Sequence, residues 1–318
     1  MSRRWLCALL LAGAPALHAQ GYPVKPVRVV VGFAAGGPTE VAARLVAQKL
    51  AEKWGQPVVV DPRTGAGGNI AAELVARAPG DGYTLLMAAF AHAVNPALYD
   101  TLPFDAAKDF APAALLITAA NVLAVHPSVP AKNVRELVAL ARARPGELTY
   151  GSAGVASASH LAGELLNSLA GIRLTHVPYK GAAPASVDLV GGHLSAAFPA
   201  VALALPHAQS GRLRILGVTG TKRAESLPAV PTIAEAGVAG FEVLSWYGLL
   251  APAGTPAEIV AQVNRDAARG LQEADARERV RALGGEPVSA TPAEFNGWLK
   301  NEMAKWAKVI RVAGIRAN

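Results

Sequence analysis

From Val27 onward the chain repeats one pattern: a short run of β-branched residues, a turn rich in Gly or Pro, then apolar positions three and four apart. Val27-Arg28-Val29-Val30-Val31 reads as a strand and Gly32 to Pro38 as a loop. Val41, Ala42, Leu45, Val46 and Leu50 then share one helical face that ends at Gly55. Val58-Val59-Val60 is the next strand, Thr64 to Gly68 the next loop, Ile70 to Ala78 the next helix and Tyr83 to Met87 a third strand. This alternation predicts mostly parallel sheet covered by helices on both faces.

A second series follows. Strands are predicted near Leu148 to Tyr150, Leu174 to Val177, Leu194 to Phe198 and Leu213 to Thr219, and helices near His160 to Leu169, Pro184 to Val190 and Leu203 to Ser210. Leu115 to Val125 reads as strands connecting the two α/β units, and Val243 to Leu250 as a further strand pair. Thr255-Pro256-Ala257-Glu258 and Thr291-Pro292-Ala293-Glu294 both have the capping-box form. After the second box, Phe295, Leu299, Met303, Trp306 and Ile310 recur at helical spacing and form a packing stripe.

The N-terminus breaks the pattern. Arg3 and Arg4 precede an apolar stretch from Trp5 to Leu17 and the segment Ala19-Gln20, which together read as a cleavable export signal over residues 1–20. The stretch is too short for a helix to span a bilayer core about 30 Å thick. Cys7, the one cysteine, lies inside it, so the exported chain is expected to hold no disulfide and to rely on a large core. No later apolar run reaches membrane-helix length, which predicts a soluble protein. Without Arg3 and Arg4 the charge is 28 basic against 23 acidic residues, with no basic run. This spread argues against nucleic acid as a partner and is compatible with an anionic small ligand.

The sequence lacks reaction machinery. Gly65-Ala66-Gly67-Gly68-Asn69-Ile70 has Ile where a dinucleotide fingerprint needs its third Gly, and no P-loop Lys follows. Gly151-Ser152-Ala153-Gly154 sets its Ser one position too early for a nucleophile elbow. His92, His126, His160, His176, His193 and His207 are not spaced as zinc ligands. No catalytic residue, metal or cofactor is expected. What remains is a pair of Gly- and Ser-rich loops, Gly32 to Thr39 and Gly151 to Ser159, each leading from a strand into a helix N-terminus. Backbone N–H groups there favour an anion.

Tyr22-Pro23-Val24-Lys25-Pro26, Gly36-Gly37-Pro38-Thr39, Gly65 to Ile70, Asp81-Gly82-Tyr83-Thr84-Leu85-Leu86, Asn95-Pro96-Ala97-Leu98-Tyr99, His176-Val177-Pro178-Tyr179-Lys180-Gly181 and Ser245-Trp246-Tyr247-Gly248-Leu249-Leu250 occur in this order. With these motifs the chain resembles the Bug family, the periplasmic solute-binding proteins of tripartite tricarboxylate transporters. The resemblance implies a two-lobed, type II Venus-flytrap α/β fold with a mixed, mostly parallel sheet in each lobe. Lobe one would comprise 22–122 plus 222–318, and lobe two 123–221. It implies a monomeric periplasmic receptor, not an enzyme, that captures a small organic carboxylate between the lobes and presents it to integral-membrane transporter subunits. A sensory receptor feeding a signalling system is the alternative.

By position, the family's binding loops correspond to Phe33, Ala34, Ala35, Gly36, Gly37 and Thr39; to Ala89, Phe90 and His92 in a loop from Ala88 to His92; to Ser152, Ala153, Gly154, Ser157 and Ser159; and to Pro199 and Ala200. Ala88, Ala89, Phe90, Val155, Ala156 and Pro199-Ala200 stand where the family places more polar residues, and Glu40 where Asp is usual. The pocket is therefore expected to suit an acid with an apolar or aromatic body, over which Phe33 and Phe90 would stack; filling of lobe one's core is the competing role for Phe90.

Overall fold

The β-branched runs pair into two sheets in the computed structural model, which describes residues 21–33, 35–179 and 181–316. The predicted export signal lies outside the described residues. The first sheet contains β1 (Val27–Val31), β2 (Val58–Pro62), β3 (Thr84–Ala89), β4 (Phe110–Ala120), β10 (Leu244–Pro252) and β11 (Glu286–Pro287), ordered β11-β4-β10-β3-β1-β2. The second contains β5 (Val122–Val125), β6 (Thr149–Ser152), β7 (Thr175–Pro178), β8 (Ala196–Ala197) and β9 (Arg214–Val218), ordered β7-β6-β8-β5-β9. The fold is α/β, as expected, but parallel pairs do not dominate: they are two of five in the first sheet and two of four in the second. The reason is the chain path. Each sheet receives strands that arrive from the other, and these run against their neighbours.

Helices α1 (Pro38–Trp54), α8 (Ala257–Gln272) and α9 (Ala274–Ala282) cover one face of the first sheet, closing on Val29, Val31, Leu85 and Met87. Helices α2 (Asn69–Ala76), α3 (Phe90–Leu98) and α10 (Pro292–Ala313) cover the other. In the second sheet, α4 (Val134–Ala143) and α5 (Ala158–Ala170) pack on Leu123, Val125 and Tyr150, while α6 (Ala182–Val190) and α7 (Val201–Gln209) pack on the opposite face.

Three local readings are corrected. The segment read as a strand pair over Val243 to Leu250 lies on one nine-residue strand, β10 (Leu244–Pro252). The capping box forms at Thr291, whose side chain accepts from the Glu294 N–H, but not at Thr255. There the hydroxyl turns back to donate to the Pro252 carbonyl at 2.8 Å. The Ala88–His92 segment is the end of β3 and the first turn of α3, not a loop. The stripe on α10 behaves as predicted, burying Phe295, Leu299, Trp306 and Ile310. Its helix packs on α3 and β4 of the first layer and also on α5 of the second, tying the two units together.

Candidate ligand-binding cleft

Chain direction fixes where the loops open. β4 runs parallel to β3 and β1, because both β4 and β3 pair antiparallel with β10, and it leaves the first sheet at Ala120. β5 therefore starts at the crossing, and β8, antiparallel to it, ends there together with β6 and β7. The loops after β1, β3, β6 and β8 thus all open on the edges where the sheets meet, at the carboxyl ends of their strands, the usual ligand position in open α/β sheets.

The crossing itself is built by two residues the sequence did not single out. Asn121 N–H donates to Thr219 Oγ1 at 2.8 Å, Thr219 N–H donates to the Asn121 carbonyl at 2.9 Å, and Asn121 Nδ2 donates to the Phe198 carbonyl at 3.0 Å. Pro199 accepts from Val122 N–H at 2.9 Å and Ala200 bridges Asn121, so the predicted pair Pro199-Ala200 sits against this crossing.

In the first sheet, Gly32 ends β1 where only Gly fits: a Cβ would lie 2.5 Å from Gly68 Cα. Phe33, half-buried, lies over Gly68. Ala35 and Gly36 are exposed, and Ala34 lies outside the described residues. Gly37 is the extended N-cap of α1, with Pro38 at its first position and Thr39 buried behind. The loop is closed by Glu40, only 3% exposed, which accepts from the Gly36 N–H at 3.2 Å and pairs with Arg44. A carboxylate of the protein's own already occupies this helix N-terminus.

Ala89 is the N-cap of α3. Phe90 is buried and meets Trp306 edge-on at 5.1 Å, packing as a core residue. His92 is also buried, its Nε2 donating to the Ala106 carbonyl at 3.1 Å, and burial pushes it down to about 4. Beside these residues a small cavity is lined by Gly32, Phe33, Gly67, Gly68, Ala89 and Asn95. Asn95 Nδ2 donates to Asn69 Oδ1 at 2.7 Å and to the Gly67 carbonyl at 3.1 Å, pinning the Gly65–Gly68 turn. The glycine run and the Asn95-Pro96 pair were the signals that could have placed these residues at the site.

The second sheet's loop is wired differently. Ser157 caps α5 by accepting from His160 N–H at 3.3 Å, and its hydroxyl donates to the Gly154 carbonyl at 2.7 Å. Ala153 N–H donates to Ser159 Oγ at 2.9 Å, Gly154 N–H to Ser152 Oγ at 3.1 Å, and Ala156 N–H to His160 Nδ1 at 2.9 Å. Ala156 takes φ +64°, a left-handed conformation that costs a non-Gly residue about 1 kcal/mol or more. Side chains thus consume three loop amides. The Val155, Ala158 and Ser159 N–H groups have no hydrogen-bond partner among the described residues. All the closing groups are neutral: hydroxyls and an imidazole, with no carboxylate.

A cavity of about 810 Å³ lies elsewhere, on the β4–β11 side of the crossing strands, lined by Ala120, Val201, Leu205, Leu244, Arg281 and Val288. It holds none of the loops above. Two of its cations are already paired, Arg281 with Glu225 at 3.6 Å and Arg223 with Glu235 at 2.9 Å. Its size therefore says little about ligand capture. Among the described residues no cluster of His, Cys, Asp and Glu could hold a metal ion, and no helix is long and apolar enough to cross a membrane.

Comparison with known proteins agrees with this architecture. The model of the tripartite tricarboxylate transporter family receptor matches residues 42–315. BugT of Bordetella pertussis is 36% identical over 305 residues, covering 95% of this chain and 94% of its own. Among solved structures, Rpa4515 of R. palustris with adipate is 40% identical with a TM-score of 0.77, over 93% of this chain and 99% of that one. MatC from Rhodopseudomonas palustris with bound malate is 35% identical with a TM-score of 0.74, over 91% and 100%. With its two mixed sheets and the match over nearly its whole length, the chain belongs to the tripartite tricarboxylate transporter receptor family, as a Bug-type solute-binding protein.

Proposed function

We propose that this chain is a periplasmic receptor that captures a small organic carboxylate in the cleft between its sheets and delivers it to the membrane subunits of a tripartite transporter, without transforming it. Lobe one would be 22–122 plus 222–318 and lobe two 123–221, hinged at Asn121 and Thr219. The C-terminal helix, which packs on both units, would move against α5 as the lobes close. The observation that carries this reading is the β6–α5 loop, with amides and serine hydroxyls at a helix N-terminus and no competing charge. Relatives whose structures hold adipate and malate support the ligand class.

The ligand's carboxylate would sit on the Ser159 hydroxyl and the Val155, Ala158 and Ser159 amides, beside Ser157, whose own proton goes to the Gly154 carbonyl. The Glu40 side would repel a second charge placed close to it, so the rest of the ligand meets Phe33, Thr39 and Ala89. An acid with a methylene or aromatic body fits that side better than a compact tricarboxylate. A thermal-shift screen of adipate, malate, benzoate and citrate tests this. A ligand at about a hundredfold excess over Kd adds about 2.7 kcal/mol to stability. The expected result is a rise in Tm with adipate or benzoate exceeding that with citrate. No shift with any acid, from protein refolded to remove co-purified ligand, would overturn the reading.

A further inference from the structure

The wiring of the lobe-two loop rests on two imidazoles from different elements. In the β6–β7 register Tyr150 pairs with His176, and Ser152, two residues on, shares Tyr150's face. Helix α5 lies directly on that face, because Gly163 leaves room where a Cβ would fall 2.1 Å from the Tyr150 ring. His160 is thereby laid on His176, with centroids 3.8 Å apart and planes 14° from parallel, and Tyr150 stacks on His176 at 5.0 Å. From this stack one bond leaves each imidazole for the loop: Ala156 N–H donates to His160 Nδ1 at 2.9 Å, and Ser152 Oγ lies 2.6 Å from His176 Nε2.

The first of these bonds depends on protonation state. Nδ1 of His160 can accept only when it carries no proton, so its hydrogen is on Nε2. The Ser152 hydroxyl has one proton and two neighbouring acceptors, His176 Nε2 at 2.6 Å and the Gly154 carbonyl at 3.2 Å: either His176 accepts that proton, or its Nε2–H tautomer donates to Ser152 Oγ and the hydroxyl serves Gly154. In either case Ser152 Oγ accepts from Gly154 N–H at 3.1 Å.

We propose that His160 and His176 are positioning residues for the ligand: as a neutral stacked pair they hold Ala156 in its left-handed turn and Ser152 against Gly154, and so present the remaining loop amides to the carboxylate. This rests on the receptor reading above. A proton on His160 would set Nδ1–H against Ala156 N–H, and protons on both rings would place like charges in contact. Among the described residues no carboxylate pairs with or hydrogen-bonds to either ring. Of the titratable groups around the pair, Tyr150 on β6 stacks on it, Glu164 on α5 is engaged by the Tyr150 hydroxyl at 2.6 Å, and Tyr179 holds Asp188 at 2.5 Å beyond the loop. Burial keeps both histidines neutral, pushed down to about 4.

The test uses the full chain with adipate as the probe, in wild type, His160→Phe and His160→Asn. Phe keeps the stack and removes the acceptor; the Asn carbonyl restores an acceptor that does not titrate. In wild type, nitrogen NMR should find His160 as the Nε2–H tautomer. H160F should lose about tenfold or more in adipate affinity and exchange the Ala156 amide about tenfold faster, as expected for one lost hydrogen bond. H160N should recover most of both, and should lack the wild-type decline in affinity in acid beyond that due to adipate's own protonation. A His160 Nδ1–H tautomer, or unchanged exchange and affinity in H160F, would overturn the proposal. If H160F does not fold, the tautomer and the H160N pH profile decide. If wild type takes up no adipate, that ligand assignment fails, while the tautomer and Ala156 exchange still judge the positioning role.

Discussion

The β1–α1 and β6–α5 loops occupy matching places in their sheets, yet they are closed by opposite chemistry. Glu40, a buried carboxylate, ties down Gly36 in the first; serine hydroxyls and the His160 imidazole tie down the second. A helix N-terminus attracts one anion readily, and a carboxylate of the protein already present discourages another. Two loops that look alike in sequence are therefore unequal anion sites. On the proposed reading the ligand's charge meets the second loop and its apolar body the first.

Substitutions can break this comparison at several strengths. The largest expected effect separates the two phenylalanines of the first lobe. Phe90→Ala should cost about 3 to 5 kcal/mol in denaturant unfolding, because it empties a core site against Trp306, while adipate affinity in the folded fraction is retained. Phe33→Ala should reverse the pattern, with stability nearly unchanged and affinity for acids with an apolar body reduced. If F90A instead weakened binding at little cost in stability, the assignment of Phe90 to the core would fail.

Glu40→Gln should lower stability by about 1 kcal/mol, since the bond to Gly36 weakens and the pair with partly exposed Arg44 is lost. Carboxylate affinity should rise, by about threefold or more, as one negative charge leaves the cleft. A fall in affinity would mean that Glu40 serves the ligand directly.

A pH dependence tests the same contrast through the histidines. His92, His160 and His176 sit near 4 in the folded chain against an ordinary 6.5, so the unfolded chain binds more protons between those values. Unfolding free energy should therefore rise with pH from about 4 to about 6.5 and level off above. Replacing His92 by Asn should flatten part of that slope and leave ligand binding unchanged. Replacing His160 should flatten part of it too, and alter binding as well.

The sequence made the strands and most helices legible because their signals are local: β-branched runs for β1 and β2, spacing of three and four in α1 and α10. The α3 helix was hidden, since Ala88-Ala89-Phe90-Ala91 shows no polar period and Pro96 lies inside it. Thr255 matched a capping box, but a nearby carbonyl took its hydroxyl. At the site, the Gly- and Ser-rich loops were visible. Their wiring was not, because it depends on contacts distant in sequence: Asn121 with Thr219 at the crossing, and His176 brought to Ser152 by the β6–β7 register. Charge sign at each loop was legible in Glu40 and Ser157, once their partners were known.

The central claim, that the second lobe's loop holds a ligand carboxylate, is tested most directly by calorimetric titration of wild type and Ser157→Asp with adipate. Asp caps a helix as well as Ser does, so α5 should persist, but it gives up the hydroxyl's bond to the Gly154 carbonyl and places in this loop the charge that Glu40 places in the other. The account predicts measurable binding to wild type and a loss of about a hundredfold or more in the variant, with about 1 to 2 kcal/mol lost in stability without ligand, the cost of the missing bond to the Gly154 carbonyl. Equal binding by the two proteins would contradict it.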